Sequence, residues 1–181
     1  MNKLLSLVLI ILCSPLFLIL ALIIFLDDGF PIFFRQNRIG LNKKGFKIFK
    51  FRTMKNNTPN IATHLLKEPH KTYTFSGPFL RKYSIDEIPQ LLNIFLGHLK
   101  FIGPRPALYN QYDLIELRDK KGINNIVPGV TGWAQVNGRD SLSLKEKVEM
   151  DYYYLTNQSF KLNFKILVLT VYKVLKTSDV Y

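Results

Sequence analysis

Cysteine is all but missing from this chain. A single residue, Cys13, among 181 excludes a disulfide framework and any Cys-based zinc site. Histidine is scarce as well, and His64, His70 and His98 show no metal-ligand spacing. Acidic residues are few: 13 Asp plus Glu stand against 25 Lys plus Arg, for a formal net charge of +12. No internal repeat and no low-complexity tract is present. Yet 48% of the residues are hydrophobic. A disordered basic tail would be poorer in apolar residues, and a nucleic-acid-binding domain of this charge is usually less apolar. The length suits one domain with a real core. These exclusions leave a membrane-associated protein with a basic polar part.

The apolar residues are unevenly spread. From Leu4 to Leu26 no residue is charged. As a straight helix this run of about 23 residues reaches roughly 34 Å, enough to cross a bilayer core. It exceeds the apolar stretch of a signal peptide, and no small-x-small cleavage site follows it. Pro15, mid-run, removes a backbone donor and kinks a helix, and Ser14 can offer its hydroxyl to a freed carbonyl. On the residues alone, a kinked spanning helix and a helix that bends at Ser14-Pro15 and leaves on the side it entered stand equal. After Asp27-Asp28 no acidic residue appears before Glu68, while Arg35, Arg38, Lys43, Lys44, Lys47, Lys50, Arg52, Lys55 and Lys67 lie between. Basic residues after a membrane segment mark the cytoplasmic side, and they attract anionic lipid headgroups.

Beyond the apolar run, Phe30–Phe34 and Phe46–Phe51 read as short strands around a two-glycine turn at Gly40–Gly45. Residues 56–78 lack periodicity and read as a loop or lid. Helices are predicted over 86–97, 106–121 and Leu144 to about Leu155, with a Pro/Gly-punctuated segment from Val127 to Gly138. In Phe160–Lys176 the residues Lys161, Lys165, Lys173 and Lys176 fall within roughly one third of the helical wheel. That pattern suits an interfacial helix with lysines at headgroup level; a core helix with snorkelling lysines is the alternative.

Three segments carry candidate chemistry. The first runs from Arg81 to Leu92. Ser84-x-x-Glu87 alone is a capping box, but Pro89 would then be the fifth helical residue, where it is costly. A start nearer Asp86 places Pro89 in the first turn and puts Asp86 and Glu87 at a helix N-terminus, which favours anions and phosphate. Two adjacent carboxylates can divide labour, one as nucleophile and one as ligand to a hard divalent cation. Arg81 and Lys82 can hold phosphate and keep a carboxylate ionised. The second segment, Gly103-Pro104-Arg105-Pro106, is either a rigid loop with a solvent-facing Arg or a phosphate contact. The third, Pro128–Arg139, is either a turn-rich core strand or a site whose amides, Gln135 and Asn137, meet a base or sugar while Arg139 meets phosphate.

Taken together, these segments resemble the bacterial sugar transferases, monotopic polyprenyl-phosphate phosphoglycosyl transferases. The resemblance covers nearly the whole chain. It is carried by the apolar N-terminus with Ser14-Pro15, Phe34-Arg35-Gln36-x-Arg38-x-Gly40, Lys50-Phe51-Arg52-Thr53-Met54, Asp86-Glu87-x-Pro89-Gln90-Leu91, Gly103–Pro106, Pro128–Arg139 and Asp151-x-Tyr153-Tyr154. Each motif is weak alone; their order and spacing are specific. The chain is most similar to the small minimal members, without the extra transmembrane bundle of larger relatives.

The resemblance implies an α+β fold: a mostly helical membrane-associated domain with a small β element and interfacial amphipathic helices. Residues 1–28 would form a re-entrant membrane helix broken at Ser14-Pro15, and residues 29–181 a catalytic domain on the cytoplasmic face of the bacterial inner membrane, ending in an interfacial helix. Asp86 would be the nucleophile toward the β-phosphate of a UDP-sugar, releasing UMP and forming an aspartyl phosphosugar. A polyprenyl (undecaprenyl) phosphate would then take the phosphosugar, initiating lipid-linked glycan assembly. Glu87 would hold Mg²⁺. Arg81, Arg105 and Arg139, with Lys50, Arg52, Gln135 and Asn137, are the candidates for phosphate and nucleotide contacts. Anionic lipid headgroups are further expected partners, nucleic acid is not, and a homodimer is left open. The competing class is a membrane-tethered basic binding module without catalysis, which predicts no dependence on Asp86. The chain departs from the family pattern at Pro78, His98, Lys100 and Asp140.

Overall fold

The computed structural model describes residues 2–56, 58, 69–138 and 141–176. Helices predominate, with two small two-stranded sheets, in keeping with the mostly helical α+β expectation. Arg139 and Asp140, residues 57 and 59–68 of the 56–78 segment with His64 and Lys67, and the last five residues lie outside the described residues.

Helix α1 (Asn2–Asp28) continues through Pro15 and is about 40 Å long at ~1.5 Å per residue. Pro15 has no N–H for the Ile11 carbonyl, and the Ser14 hydroxyl donates to that carbonyl instead, at 2.8 Å. This is the substitution the sequence suggested. Among the described helices, α1 alone is long and apolar enough to cross a membrane. Only Ser6, Leu20 and Ile24 of it are buried. Leu20 and Ile24 pack with Phe51 and Leu80, and Phe17, Phe33 and Ile85 close around them. At the other end of α1 the Lys3 side chain lies against Gly97. Both ends of the apolar helix therefore touch the body of the protein.

Strands β1 (Phe33–Ile39) and β2 (Gly45–Phe51) pair antiparallel, from Phe33 opposite Phe51 to Ile39 opposite Gly45. The sequence placed the first strand too early, at Phe30–Phe34. Its true second half is polar, and alternation could not mark it. Residues two apart share a strand face, as do cross-strand partners. Gln36, Arg38, Phe46, Ile48 and Lys50 thus lie on one face, where Phe46 and Ile48 join Ile94 and Leu99 in the core. Gln36 is buried and accepts from Arg38 Nη2 at 2.6 Å.

After the short helices α2 (Pro69–Thr72) and α3 (Gly77–Lys82), the predicted helix at 86–97 divides. A 3-10 turn holds Ile85–Glu87, and α4 begins only at Gln90 and ends at Leu96. The capping box is not formed. Ser84 sits in the left-handed region at φ 54 and makes no side-chain cap bond, and the Glu87 side chain turns to Lys50. Strand β3 (Lys100–Ile102) then pairs in parallel with β4 (Gly129–Thr131). That pairing brings the second and third motifs together, and it needs glycine. A Cβ on Gly129 would lie 2.1 Å from the Gly103 nitrogen, and one on Gly132 2.1 Å from the Gly103 carbonyl oxygen.

Helix α5 spans Tyr112–Lys120, starting later than predicted because residues 104–108 are held as a loop. The short α6 covers Trp133–Val136. Helix α7 (Leu144–Thr156) opens with a true capping box between Ser143 and Glu146. In α8 (Phe160–Lys176), Leu162 and Ile166 are buried, while Phe160, Phe164, Leu167, Val168, Val171, Tyr172 and Leu175 are exposed. The lysines flank that exposed stripe.

Candidate active site

The site is built where the end of β2 meets the 3-10 turn before α4. Asn93, fully buried in α4, fixes this junction. Its Nδ2 donates to the Lys47 carbonyl at 2.8 Å, and its Oδ1 accepts from the Phe49 N–H at 2.9 Å. One side chain thus substitutes for a strand neighbour at the free edge of β2 and sets the position of Lys50. Lys50 Nζ reaches both carboxylates: Glu87 Oε1 at 2.6 Å and Asp86 Oδ2 at 3.8 Å.

Asp86 is only 6% exposed. Burial raises its pKa above the ordinary carboxylate value, and the Glu87 charge adds to that, while Lys50 and Arg81 pull it back. Arg81, on α3, is aligned by donation from Nε to Thr53 Oγ1 at 2.8 Å and lies over the Tyr73 ring at 5.1 Å. Arg105 Nη1 approaches Glu87 Oε1 at 4.0 Å. A buried carboxylate in reach of one lysine and under the field of one arginine, with a second carboxylate bridged to another arginine, is a carboxylate pair in a cationic cradle. Such a cradle suits transfer of a charged group between phosphate-bearing partners.

Sequence-predicted residues are therefore brought together from four places: Lys50, Arg81, Asp86-Glu87 and Arg105. The others are placed elsewhere. Arg52 is buried at the α1–β1 junction, where Nη2 donates to the Asp28 and Gly29 carbonyls at 2.8 and 2.7 Å. Its charge complements the C-terminal end of α1 rather than joining the carboxylate pair. Gln135 Nε2 donates to the Val130 carbonyl and Asn137 Nδ2 to the Trp133 carbonyl, so both amides hold their own segment. Arg139 lies outside the described residues. Trp133 stacks on Tyr153 with Lys165 over its ring. His98 packs against Phe46, and Lys100 is exposed on β3.

Arg38 was legible only as part of a motif. Its Nη1 donates to the Pro106 carbonyl at 3.1 Å, and its Nε is buried with no acceptor among the described residues. Burial, then the neighbouring Arg105, lowers its pKa to about 9, against the pull of Glu87; it stays cationic at neutral pH. Asn93 gave no signal at all, since a single Asn inside an apolar helix has no motif.

Such a carboxylate and cation cluster on a body bearing a long apolar helix is compatible with a membrane-associated group-transfer enzyme, and comparison with known proteins gives the family. A family model described as bacterial sugar transferase matches residues 1–177, and the chain belongs to that family. The uncharacterized sugar transferase EpsL of Bacillus subtilis (strain 168) is 42% identical over 167 residues, 92% of this chain and 81% of the relative. The UDP-glucose:undecaprenyl-phosphate glucose-1-phosphate transferase of Escherichia coli (strain K12) is 39% identical over 93% of this chain and 38% of the relative. The UDP-N-acetylgalactosamine-undecaprenyl-phosphate N-acetylgalactosaminephosphotransferase of Aeromonas hydrophila is 35% identical over 98% of this chain and 42% of the relative. The chain thus spans most of EpsL's length and about two fifths of the two larger enzymes.

Proposed function

We propose that this protein transfers a sugar 1-phosphate from a UDP-sugar to undecaprenyl phosphate at the cytoplasmic face of the membrane, with Asp86 as covalent nucleophile. The observation that carries the reading is the buried Asp86 carboxylate within 3.8 Å of Lys50 Nζ and under the field of Arg81. An Asp86 oxygen attacks the β-phosphorus. The bond from that phosphorus to the bridging oxygen breaks, and UMP leaves with the bridging oxygen. An oxygen of the polyprenyl phosphate then attacks the same phosphorus, and the Asp86 carboxylate is released. Lys50 and Arg81 keep Asp86 ionised and offset charge on the transferring phosphate, while Arg105 does so from the Glu87 side.

Magnesium fits this donor set. The ion takes hard oxygen ligands, commonly one or two carboxylates completed by substrate phosphate and water. Asp86 and Glu87 are adjacent carboxylates, and no cluster of three or more potential His, Cys, Asp or Glu ligands occurs among the described residues. That matches an ion shared with a diphosphate rather than a protein-only cage. Glu87 would hold it, and the ion would neutralise phosphate charge when bound.

The packing of α1, unbroken at Ser14-Pro15, favours a re-entrant placement over a spanning one. Lys3 at one end and Leu20 and Ile24 near the other meet the same body, and a helix that crossed the bilayer would separate them. The exposed apolar stripe of α8 suits the lipid surface, where a soluble nucleotide and an insoluble acceptor can both arrive.

The test uses the full chain in lipid nanodiscs with a panel of UDP-sugars. UMP release is expected with one or more of them, to stop on chelation and to return with Mg²⁺. Intact mass is expected to show a phosphosugar adduct. Asp86→Asn is expected to lose both; full activity in that variant refutes the mechanism and favours a binding module.

A further inference from the structure

The segment that carries Arg105 is held in an unusual way. Residues 104–107 include two prolines, which donate no hydrogen bonds, yet four successive carbonyls are engaged by donors from three parts of the chain, β1, α5 and β4. Gly129 N–H donates to Pro104 O at 3.0 Å, and Ile39 N–H donates to Ala107 O at 2.9 Å. Between them, Arg118 Nη1 donates to Arg105 O at 2.8 Å and Arg38 Nη1 to Pro106 O at 3.1 Å. The two side-chain donors are themselves fixed. Arg38 is bound to buried Gln36. Arg118, 6% exposed on α5, is paired through Nε at 3.0 Å and through Nη2 with Asp151, 1% exposed on α7. Burial raises the Asp151 pKa and Arg118 opposes it.

Resting on the proposed reaction, we infer that Arg118 and Asp151 are positioning residues: they hold the backbone of Arg105 so that its guanidinium is set at Glu87 before substrate binds. A planar guanidinium makes this possible, because one edge can engage the carboxylate while the remaining nitrogen donates to the carbonyl. Lysine retains the charge but cannot make both contacts in fixed geometry. A buried ion pair is by itself a poor source of stability; here it ends on the one carbonyl that belongs to a site residue.

A double-mutant cycle separates positioning from a merely structural role. UMP release by nanodisc-bound protein is measured per folded molecule for wild type, Arg118→Lys, Arg105→Ala and the double variant. Arg118→Lys is expected to lower kcat/KM about tenfold or more in the wild-type background, since small misplacements of a site group are that costly. In the Arg105→Ala background the same change is expected to matter by less than about twofold. Hydrogen exchange at the Gly103, Ala107 and Leu108 amides is expected to quicken in Arg118→Lys. Should that variant fail to fold, Asp151→Asn replaces it, because Asn can still accept a bond from Arg118 without holding it as an ion pair. Equal losses in both backgrounds, or unchanged exchange in the loop, overturn the positioning role and leave the reaction standing. Absence of UMP release by wild type from every UDP-sugar in the panel overturns the reaction and this inference with it.

Discussion

In the proposed reaction Asp86 would oppose stability while serving chemistry. Its folded pKa is raised above the ordinary carboxylate value, chiefly by burial. The native state therefore holds a proton more tightly than the unfolded chain. Stability falls as pH rises from the unfolded pKa through the raised one, and at neutral pH the buried charge is a net cost. Asp86→Asn is accordingly expected to leave the melting temperature equal or higher while UMP release disappears, measured by calorimetry and assay on one preparation. Activity has the opposite sign. The proposed nucleophile reacts as the anion, so the rate is expected to rise with pH through the raised pKa. Lys50 lowers that pKa, so Lys50→Met is expected to move the acidic limb of the pH–rate profile upward as well as reduce the rate. An unmoved limb would mean that the limb reports another group. Ser14 offers a second residue-scale test. Its hydroxyl is the donor that replaces the missing Pro15 N–H at Ile11. Ser14→Ala leaves that carbonyl bare in apolar surroundings, at about 1–3 kcal/mol, and is expected to lower thermal stability in nanodiscs.

At the scale of elements, the position of the site depends on side chains that stand in for backbone. Asn93 satisfies two backbone groups of β2 at once. Asn93→Ala strands both, each at about 1–3 kcal/mol if left buried and unpaired. It is expected to destabilise the protein markedly and to loosen Lys50; denaturant unfolding reads the first effect and the Lys50-dependent pH limb the second. Asn93 also marks where the sequence stops being informative. The carboxylate pair, Lys50, Arg81 and the Gly103–Pro106 loop were legible because each sat in a local pattern. The α7 and α8 helices were legible through their periodicity. The polar half of β1 was not, because its inward residues are Gln36 and Arg38, which satisfy one another rather than joining an apolar stripe. Nor was the parallel β3–β4 pair, which is three residues long on each side and depends on glycines that meet only in space. Arg52 misled for a related reason. Two residues beyond Lys50 on a continuing strand it would have shared that face, but β2 ends at Phe51 and Arg52 instead closes the end of α1.

At the scale of the whole molecule, the open prediction is topological. With Cys13→Ser and Lys3→Cys, a membrane-impermeant thiol reagent is expected to label the protein from the cytoplasmic side only; labelling solely from the opposite side would make α1 a spanning helix. Its packing, however, has a consequence beyond topology. Ile85, the residue before Asp86, closes around the same cluster as Leu20 and Ile24 of α1. The apolar helix is therefore a wall behind the segment that carries Asp86 and not a leash. A chain cut to residues 29–181 would lose that wall along with its anchor, exposing Phe51 and Leu80, and is expected to aggregate instead of yielding a soluble enzyme. If α1 sits in the bilayer as proposed, the height of the Asp86 carboxylate above the hydrocarbon would be set by a rigid part, like a stop on a gauge. On the proposed reaction, shortening or tilting α1 would therefore shift Asp86 relative to the acceptor headgroup.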